Sequence, residues 1–310
     1  MKVVALAGGV GGAKLADGLA QVLPPESLTI VVNTGDDFEH LGLHISPDLD
    51  TVCYTLAGLA NRTTGWGRAD ETWRFLEALE AFGGPTWFRL GDRDLALHHE
   101  RTRRLAAGER LSNVTRALAA SMGVEAAVLP MTDDAVQTMV LTEEDEIPFQ
   151  VYFVARACGP PVRGFRFAGA ETAHPAAGVL EALAEADVIV LCPSNPWVSL
   201  DPILAVPGVR QAVGRGVAVG VSPIIGGQAL KGPAAKMFRE LGIEPSARAV
   251  AEHFQGLLSG MVLDLEDAPD AARVEAGGLR ALATRTVMKG RSARRRLAEE
   301  VLDFAQHLPR

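Results

Sequence analysis

The run Gly8-Gly9-Val10-Gly11-Gly12-Ala13-Lys14-Leu15 follows an apolar segment at 2–7, so a buried strand leads into a glycine-packed turn and then a helix. Glycines let the backbone approach an oxyanion closely, and the N–H groups and dipole at a helix start favour its negative charge. The segment departs from both familiar phosphate loops. Ala13 stands where the second glycine of a Walker A loop belongs, and Leu15 where a Ser or Thr would hold magnesium. Gly9 and Gly11 fit a dinucleotide fingerprint, but its third position falls on Lys14. The loop is expected to hold phosphate, with any metal held elsewhere.

Acids supply the second signal. Val31-Val32-Asn33-Thr34-Gly35-Asp36-Asp37 puts polar groups at the carboxyl end of a strand, where open α/β sheets bind ligands. Ser46-Pro47-Asp48-Leu49-Asp50-Thr51 follows and fits a helix start. Asp48 alone reads as a charge complementing a helix dipole. Four acids on two adjoining loops near a phosphate site also suit magnesium, which takes one or two carboxylates together with substrate phosphate oxygens.

Three further loops have this polar, turn-rich character. In Gly91-Asp92-Arg93-Asp94, preceded by Arg89, the arginines could meet phosphate, a surface ion-pair cluster being the equal alternative. Pro193-Ser194-Asn195-Pro196 and Ser222-Pro223-Ile224-Ile225-Gly226-Gly227, which runs on to Lys231, each follow a strand. Convergence of these strand ends on one crevice is the economical reading.

The elements that must position these loops alternate as in a doubly wound, mainly parallel sheet. Runs at 2–7, 28–33, 188–192, 217–221 and 261–264 read as buried strands. Helical periodicity at 48–60, 70–81, 94–107 and 111–122 marks an inserted, mostly helical lobe, followed by a β-rich piece at 126–166 with paired strands at 136–141 and 149–154. The fold class is α/β and Rossmann-like, one elaborated domain over 1–310 with its core in about 1–50 and 170–310 and the insert in about 51–169.

With 310 residues, 48% of them hydrophobic, the chain can bury one large core. A net charge of -8 and the lack of a sustained basic stripe argue against nucleic acid, and Arg294, Arg295 and Arg296 sit beside Glu299 and Glu300 on a solvated helix face. Cys53, Cys158 and Cys192 have no metal-ligand spacing and suit reduced thiols in a cytoplasmic protein. Glycines interrupt the N-terminal apolar run before it could serve as a signal peptide, and no stretch is long enough to span a membrane. His40 and His44, and likewise His98 and His99, read as solvent-facing or loop-packing residues. Trp66, Trp73 and Trp87 could cover a flat ring, although packing within the lobe explains each singly.

The ordered set GGVGGAK, VVNTGDD, SPDLDT, GDRD, LPMTDD (129–134), PSNP and SPIIGG resembles the 2-phospho-L-lactate transferase (CofD) family of coenzyme F-420 biosynthesis. The resemblance implies transfer of a phospholactyl, phosphoenolpyruvyl or related phosphoacid group from a guanylyl-activated donor. The acceptor is the ribityl hydroxyl of the deazaflavin Fo, GMP is released, and magnesium is required. It carries deazaflavin binding to Asp50 and to Arg89, where family members also use lysine, with Asn33 and Thr34 beside them. The nucleotide and its phosphates are expected at Gly8, Gly9, Gly11, Gly12 and Lys14, with Ser194, Asn195, Ser222, Gly226 and Gly227. The metal is expected at Asp36, Asp37 and Asp50, and Asp50 is either metal ligand or acceptor of the ribityl proton. A homodimer is the expected assembly.

Two other classes compete. A nucleotide-sugar-binding regulatory protein of the same fold would bind without turnover and have no use for Asp50. An NAD-dependent dehydrogenase with Asp36 or Asp37 on the ribose is disfavoured by Lys14 and leaves 46–51 and 91–94 without a purpose.

Overall fold

The computed structural model describes residues 1–309. Seven short runs form one parallel sheet: β1 (Val3–Ala7), β2 (Leu28–Val32), β3 (Ala127–Pro130), β4 (Val188–Leu191), β5 (Ala218–Val221), β6 (Gly260–Asp264) and β7 (Arg280–Thr284). Their spatial order is β7-β6-β5-β4-β1-β2-β3, and every neighbouring pair is parallel. The central strands are buried along their whole length because helices cover both faces. Alternate side chains feed two cores: Val3, Ala5 and Ala7 point to one, Val4 and Leu6 to the other.

Helix α1 (Gly9–Ala20) and the C-terminal helix Arg291–Gln306 pack together on one face. Gly18 permits their close approach, since a Cβ there would lie 2.3 Å from the Arg294 carbonyl oxygen. After β2 the chain makes a small hairpin (Phe38–His40 with Leu43–Ile45) and four helices: α2 (Pro47–Leu56), α3 (Arg74–Ala81), α4 (Asp92–Ala106) and α5 (Leu111–Ser121). His40 and His44 therefore lie on strands, while His98 and His99 lie on α4.

Three expectations change. Ala127–Pro130, assigned from sequence to the inserted lobe, is hydrogen-bonded to β2 in the central sheet. The stretch 51–169 thus returns to the core once, between its helical part and a three-stranded antiparallel sheet of Glu146–Pro148, Gln137–Leu141 and Gly164–Ala168. Edge strand β7 was not anticipated, because Arg280–Thr284 has no β-branched apolar run and is only half-buried. The strand expected at 149–154 is instead helical, with a wide turn over Val151–Ala155, and Phe149 just before that turn stacks on Phe153 within it at 5.4 Å with rings 7° from parallel. Those rings are four residues apart, a helical spacing that an apolar run this short conceals.

Candidate functional site

The strand order reverses between β1 and β4, the point where open α/β sheets form a ligand crevice beyond their carboxyl ends. A cavity of about 780 Å³ opens there, lined by residues from the ends of β1, β4 and β5 and from the inserted lobe.

The glycines hold two strand ends in contact. A Cβ on Gly11 would lie 2.1 Å from the Pro193 carbonyl oxygen, and one on Gly12 would lie 2.5 Å from Ser194 Oγ. Ser194 Oγ donates to the Gly8 carbonyl at 2.8 Å and accepts from the Gly8 N–H at 3.2 Å. Asn195 caps the next turn by accepting from the N–H groups of Trp197 and Val198. Both residues line the cavity while fixing its wall.

The first N–H of α1 already has an anion. Gly9 N donates to Asp48 Oδ1 at 2.8 Å, and Asn33 Nδ2 donates to Asp48 Oδ2 at 2.9 Å. Asp48 thus caps α1 while standing in the first turn of its own helix α2. Val10 and Gly11 line the cavity with first-turn N–H groups that lack intrahelical acceptors. Beside them is half-buried Lys14, whose pKa is lowered by burial and then by the cationic Arg294 and Lys231. Lys231, also on the cavity wall, donates to the Thr64 carbonyl at 2.8 Å. Among the described residues neither lysine is paired with a carboxylate, so this part of the cavity suits phosphate.

The same cavity has an acidic wall, which Asp48 joins to the start of α1. Asp36, Asp48, Asp50 and Asp94 line it and all are buried. Burial, reinforced by Asp48 and Asp37, raises the Asp36 pKa well above the carboxylate range. Burial pushes Asp48 up to about 6, against the hydrogen bonds from Asn33 and Gly9. Asp37 stands behind the wall, accepting from Ser46 Oγ at 2.7 Å with His44 Nε2 at 3.2 Å, and burial raises its pKa too.

Asp50 meets α4. The terminal nitrogens of Arg101 donate to its two carboxylate oxygens, and His98 Nδ1 lies 3.7 Å from Asp50 Oδ2. His98 Nε2 lies 3.4 Å from Asp94 Oδ1, which accepts from Tyr54 Oη at 2.6 Å. Burial works against the charge on both Arg101 and Asp94. The Asp50 carboxylate outweighs it at Arg101, and the neighbouring His98 with the hydrogen bond from Tyr54 outweighs it at Asp94. His98, read from sequence as solvent-facing or loop packing, is 2% exposed and lines the cavity. Residues 50 and 54 on α2 and 94, 98 and 101 on α4 repeat at helical spacing, a polar stripe that was readable but not recognised.

Rings form the remaining wall. Trp66, Trp87, Phe88, Phe149 and Phe153 face the cavity. Arg89 also lines it and stacks on Trp73, its guanidinium carbon 4.5 Å from the ring centre. Trp87 and Phe88 belong to an aromatic cluster with Phe38 and His40.

Several expected residues lie away from the wall or are engaged in holding their own turns. Gly12 supports it from behind. Asn33 and Thr34 are buried, and Asn33 orients Asp48 and the Gly35 N–H. Ser222 reaches the cavity and organises its own turn through Ile224. Gly226 and Gly227, with φ of 54° and 72°, form the turn of a small hairpin, and Gly226 N donates to Asp267. Arg93 is exposed on the first turn of α4, and Asp92 caps α3 by accepting from the N–H groups of Arg74 and Phe75.

Among the described residues, no three His, Cys, Asp or Glu side chains converge as a complete metal cage, and no helix is long and apolar enough to cross a membrane. One oxygen each of Asp36 and Asp37 is buried without a hydrogen-bond partner. Such carboxylates fit a hard cation that takes its other ligands from substrate phosphates.

The family described as 2-phospho-L-lactate transferase CofD matches residues 3–281. Over 316 residues the chain is 46% identical to the phosphoenolpyruvate transferase of Streptomyces coelicolor, covering 99% of each. It is 39% identical to the 2-phospho-L-lactate transferase of Methanosarcina acetivorans, covering 97% of this chain and 98% of that one. A crystal structure of a UPF0052 family member from Bacillus halodurans has the same fold, with a TM-score of 0.63 at 17% identity over 97% of this chain and 98% of that one.

Proposed function

The chain belongs to the 2-phospho-L-lactate transferase CofD family, phosphoacid transferases of coenzyme F-420 biosynthesis, and from that premise we propose the reaction its cavity serves. A guanylyl-activated phosphoacid lies with its diphosphate toward Val10, Gly11, Lys14 and Lys231, and the deazaflavin Fo lies along the rings with its ribityl chain toward Asp50. The observation carrying this reading is the single cavity of about 780 Å³ that joins a cationic end, an aromatic wall and a buried acidic end. The 46% identity to a phosphoenolpyruvate transferase, against 39% to a 2-phospho-L-lactate transferase, supports a phosphoenolpyruvyl donor.

In this reaction the ribityl oxygen forms a bond to the phosphorus bearing the phosphoacid. The bond from that phosphorus to the bridging oxygen breaks, its electron pair leaves with GMP, and the hydroxyl proton passes to Asp50. Phosphoryl transfer depends chiefly on positioning and charge neutralisation. Lys14 and Lys231 meet the charge of the diphosphate, Arg89 binds the acceptor, and the rings exclude water. Asp36, with Asp37 behind it, would hold magnesium, which supplies positive charge to the phosphate oxygens. We take the protein to be a cytoplasmic enzyme whose cysteines, all free in the structure, stay reduced, and the assembly to be a homodimer.

The test is GMP release from guanylyl-activated phosphoenolpyruvate and phospholactate, with and without Fo and magnesium, in wild type and Asp50→Ala. Release that needs Fo, magnesium and Asp50 is the expected result. Nucleotide binding without acceptor-dependent release would overturn the enzyme reading in favour of a nucleotide-binding regulator.

A further inference from the structure

Asp50 is the acceptor-side carboxylate of the proposed reaction, yet both of its oxygens are engaged by a side chain that does not line the cavity. Arg101 is 3% exposed and comes from α4, fifty-one positions away in sequence. Nη1 donates to Asp50 at 3.1 Å and stands 3.2 Å from His98 Nδ1, Nη2 donates to the second Asp50 oxygen, and Nε has no partner. The guanidinium therefore directs its hydrogen bonding to Asp50 and His98 while leaving one of its own donors unsatisfied. Beyond His98, whose Nε2 lies 3.4 Å from Asp94 Oδ1 without a hydrogen bond, Asp94 accepts from Tyr54, so among the described residues Arg101 alone hydrogen-bonds to the Asp50 carboxylate.

Stability alone is a weak reason for this arrangement. Burying an ion pair costs desolvation that its attraction offsets only in part, and an apolar pair of similar volume is often as stable. A bidentate guanidinium does supply orientation, because its planar fork matches a carboxylate at one angle. Fixing the plane of Asp50 aims its remaining lone pairs at the cavity.

We propose that Arg101, supported by His98, is a positioning residue that orients the Asp50 carboxylate toward the acceptor's hydroxyl. The proposal rests on the acceptor role given to Asp50 above. Arg101 acts through Asp50, so its effect must vanish when Asp50 cannot perform that role.

The test is a double-mutant cycle with Arg101→Met, Asp50→Asn and the pair, with Arg101→Lys as the conservative variant. It is read both as Fo affinity, from deazaflavin fluorescence, and as turnover at saturating donor. Arg101→Met is expected to weaken Fo binding severalfold and lower kcat by about a hundredfold, with donor KM changed less than about threefold. Arg101→Lys keeps charge without the fork and should recover part of kcat. In the Asp50→Asn background, Arg101→Met should cost no more than about twofold in either quantity. The double variant also removes the uncompensated buried charge of each single variant, and its melting temperature checks folding.

Equal losses in both backgrounds would overturn the proposal, as would a lower melting temperature with unchanged kcat and Fo affinity in the folded protein. If wild type binds no Fo, the transferase reading itself fails. If wild type binds and transfers but the cycle is additive, only the role of Arg101 fails.

Discussion

The two parts of the cavity assigned above to phosphate and to acceptor are built by different means. The phosphate end is backbone held against backbone, with glycines of α1 seated on the Pro193–Asn195 loop and no room for a methyl group at Gly11. The acceptor end is side chain held against side chain, with Asp50 and Tyr54 of α2 facing Asp94, His98 and Arg101 of α4. The first comes from short connections at the sheet's switch point, the second from a lobe inserted between β2 and β3. A backbone-built site tolerates almost no change in size, whereas a charge-built site is sensitive to losing one partner of a network.

The largest expected effect follows from the first kind of construction. Gly11→Ala drives a Cβ to 2.1 Å from a backbone carbonyl oxygen, a contact that no side-chain rotation relieves. We expect a loss of about 3 kcal/mol in denaturant unfolding, near the upper end for overpacking, together with weakened donor binding. Gly226→Ala is the control. That glycine has φ of 54° in a hairpin turn, does not line the cavity, and a Cβ on it would meet only the movable end of the Glu266 side chain, so about 1 kcal/mol of stability should go with donor KM unchanged. Equal donor KM effects in the two variants would mean that the Gly11 contact does not shape the site.

Next comes the charge that the phosphate end does carry. Lys14 is half-buried, with its pKa lowered by burial and neighbouring cations, and a bound diphosphate relieves both. Lys14→Met should weaken GDP binding by about 2 kcal/mol by calorimetry, the scale of a hydrogen bond to a charged group. Fo affinity should fall less, because Asp50 is held by Arg101 of α4 and Arg89 by the Trp73 ring, neither through Lys14. A loss of Fo affinity as large as that of GDP would show that the two ends do not act separately.

This division also explains what the sequence revealed. Five central strands and four lobe helices were legible because their apolar periods are strong and their loops end in Gly, Pro and Asp. Gly8, Gly11, Lys14 and Ser194 were legible because backbone contact at a strand end demands special residue types in short motifs. Gly226 and Gly227 have the same composition but serve a hairpin, since glycine marks an unusual backbone conformation without stating its purpose. At the acceptor end, Asp50 stood out as one of several clustered acids. Arg101 did not, because the helix-to-helix pairing that brings it 51 positions back is a tertiary fact. The spacing of 94, 98 and 101 was visible, but a charged stripe on a lobe helix ordinarily faces solvent.

A smaller effect tests the far end of that stripe. Tyr54 Oη donates to buried Asp94 at 2.6 Å, and Asp94 is held below the usual carboxylate range against the effect of burial. Tyr54→Phe removes this donor without changing shape. We expect about 1.5 kcal/mol lower stability, as for a buried hydrogen bond to a charged group, and a modest fall in kcat if the line through His98 orients Asp50. Lower stability with unchanged kcat would confine the orienting role to Arg101 and His98.

The smallest net effect comes from opposing carboxylates. Asp48, in the site, has a folded pKa raised to about 6 by burial, against an unfolded value near 3.8. Between those values the folded state binds more protons, so this group makes the protein less stable as pH rises from about 4 to about 6. Asp264, at the end of β6, is the reverse: hydrogen bonds from Thr286 and Glu266 outweigh burial and lower its pKa. Its contribution is present above the unfolded value and is lost as pH falls below about 4 through the folded value. Unfolding measured across pH 3 to 7 should therefore show Asp264→Asn flattening only the acid side. Asp48→Asn should make the decline between about 4 and 6 shallower, Asp36 and Asp37 keeping their own share of it, besides lowering stability at every pH through one imperfect cap, since an amide cannot accept from both Gly9 and Asn33. The two slopes occupy adjoining pH ranges and have opposite signs. A site carboxylate strained by burial and a structural carboxylate relieved by hydrogen bonds are thus distinguishable in one protein without any substrate, and identical slopes in the two variants would erase that distinction.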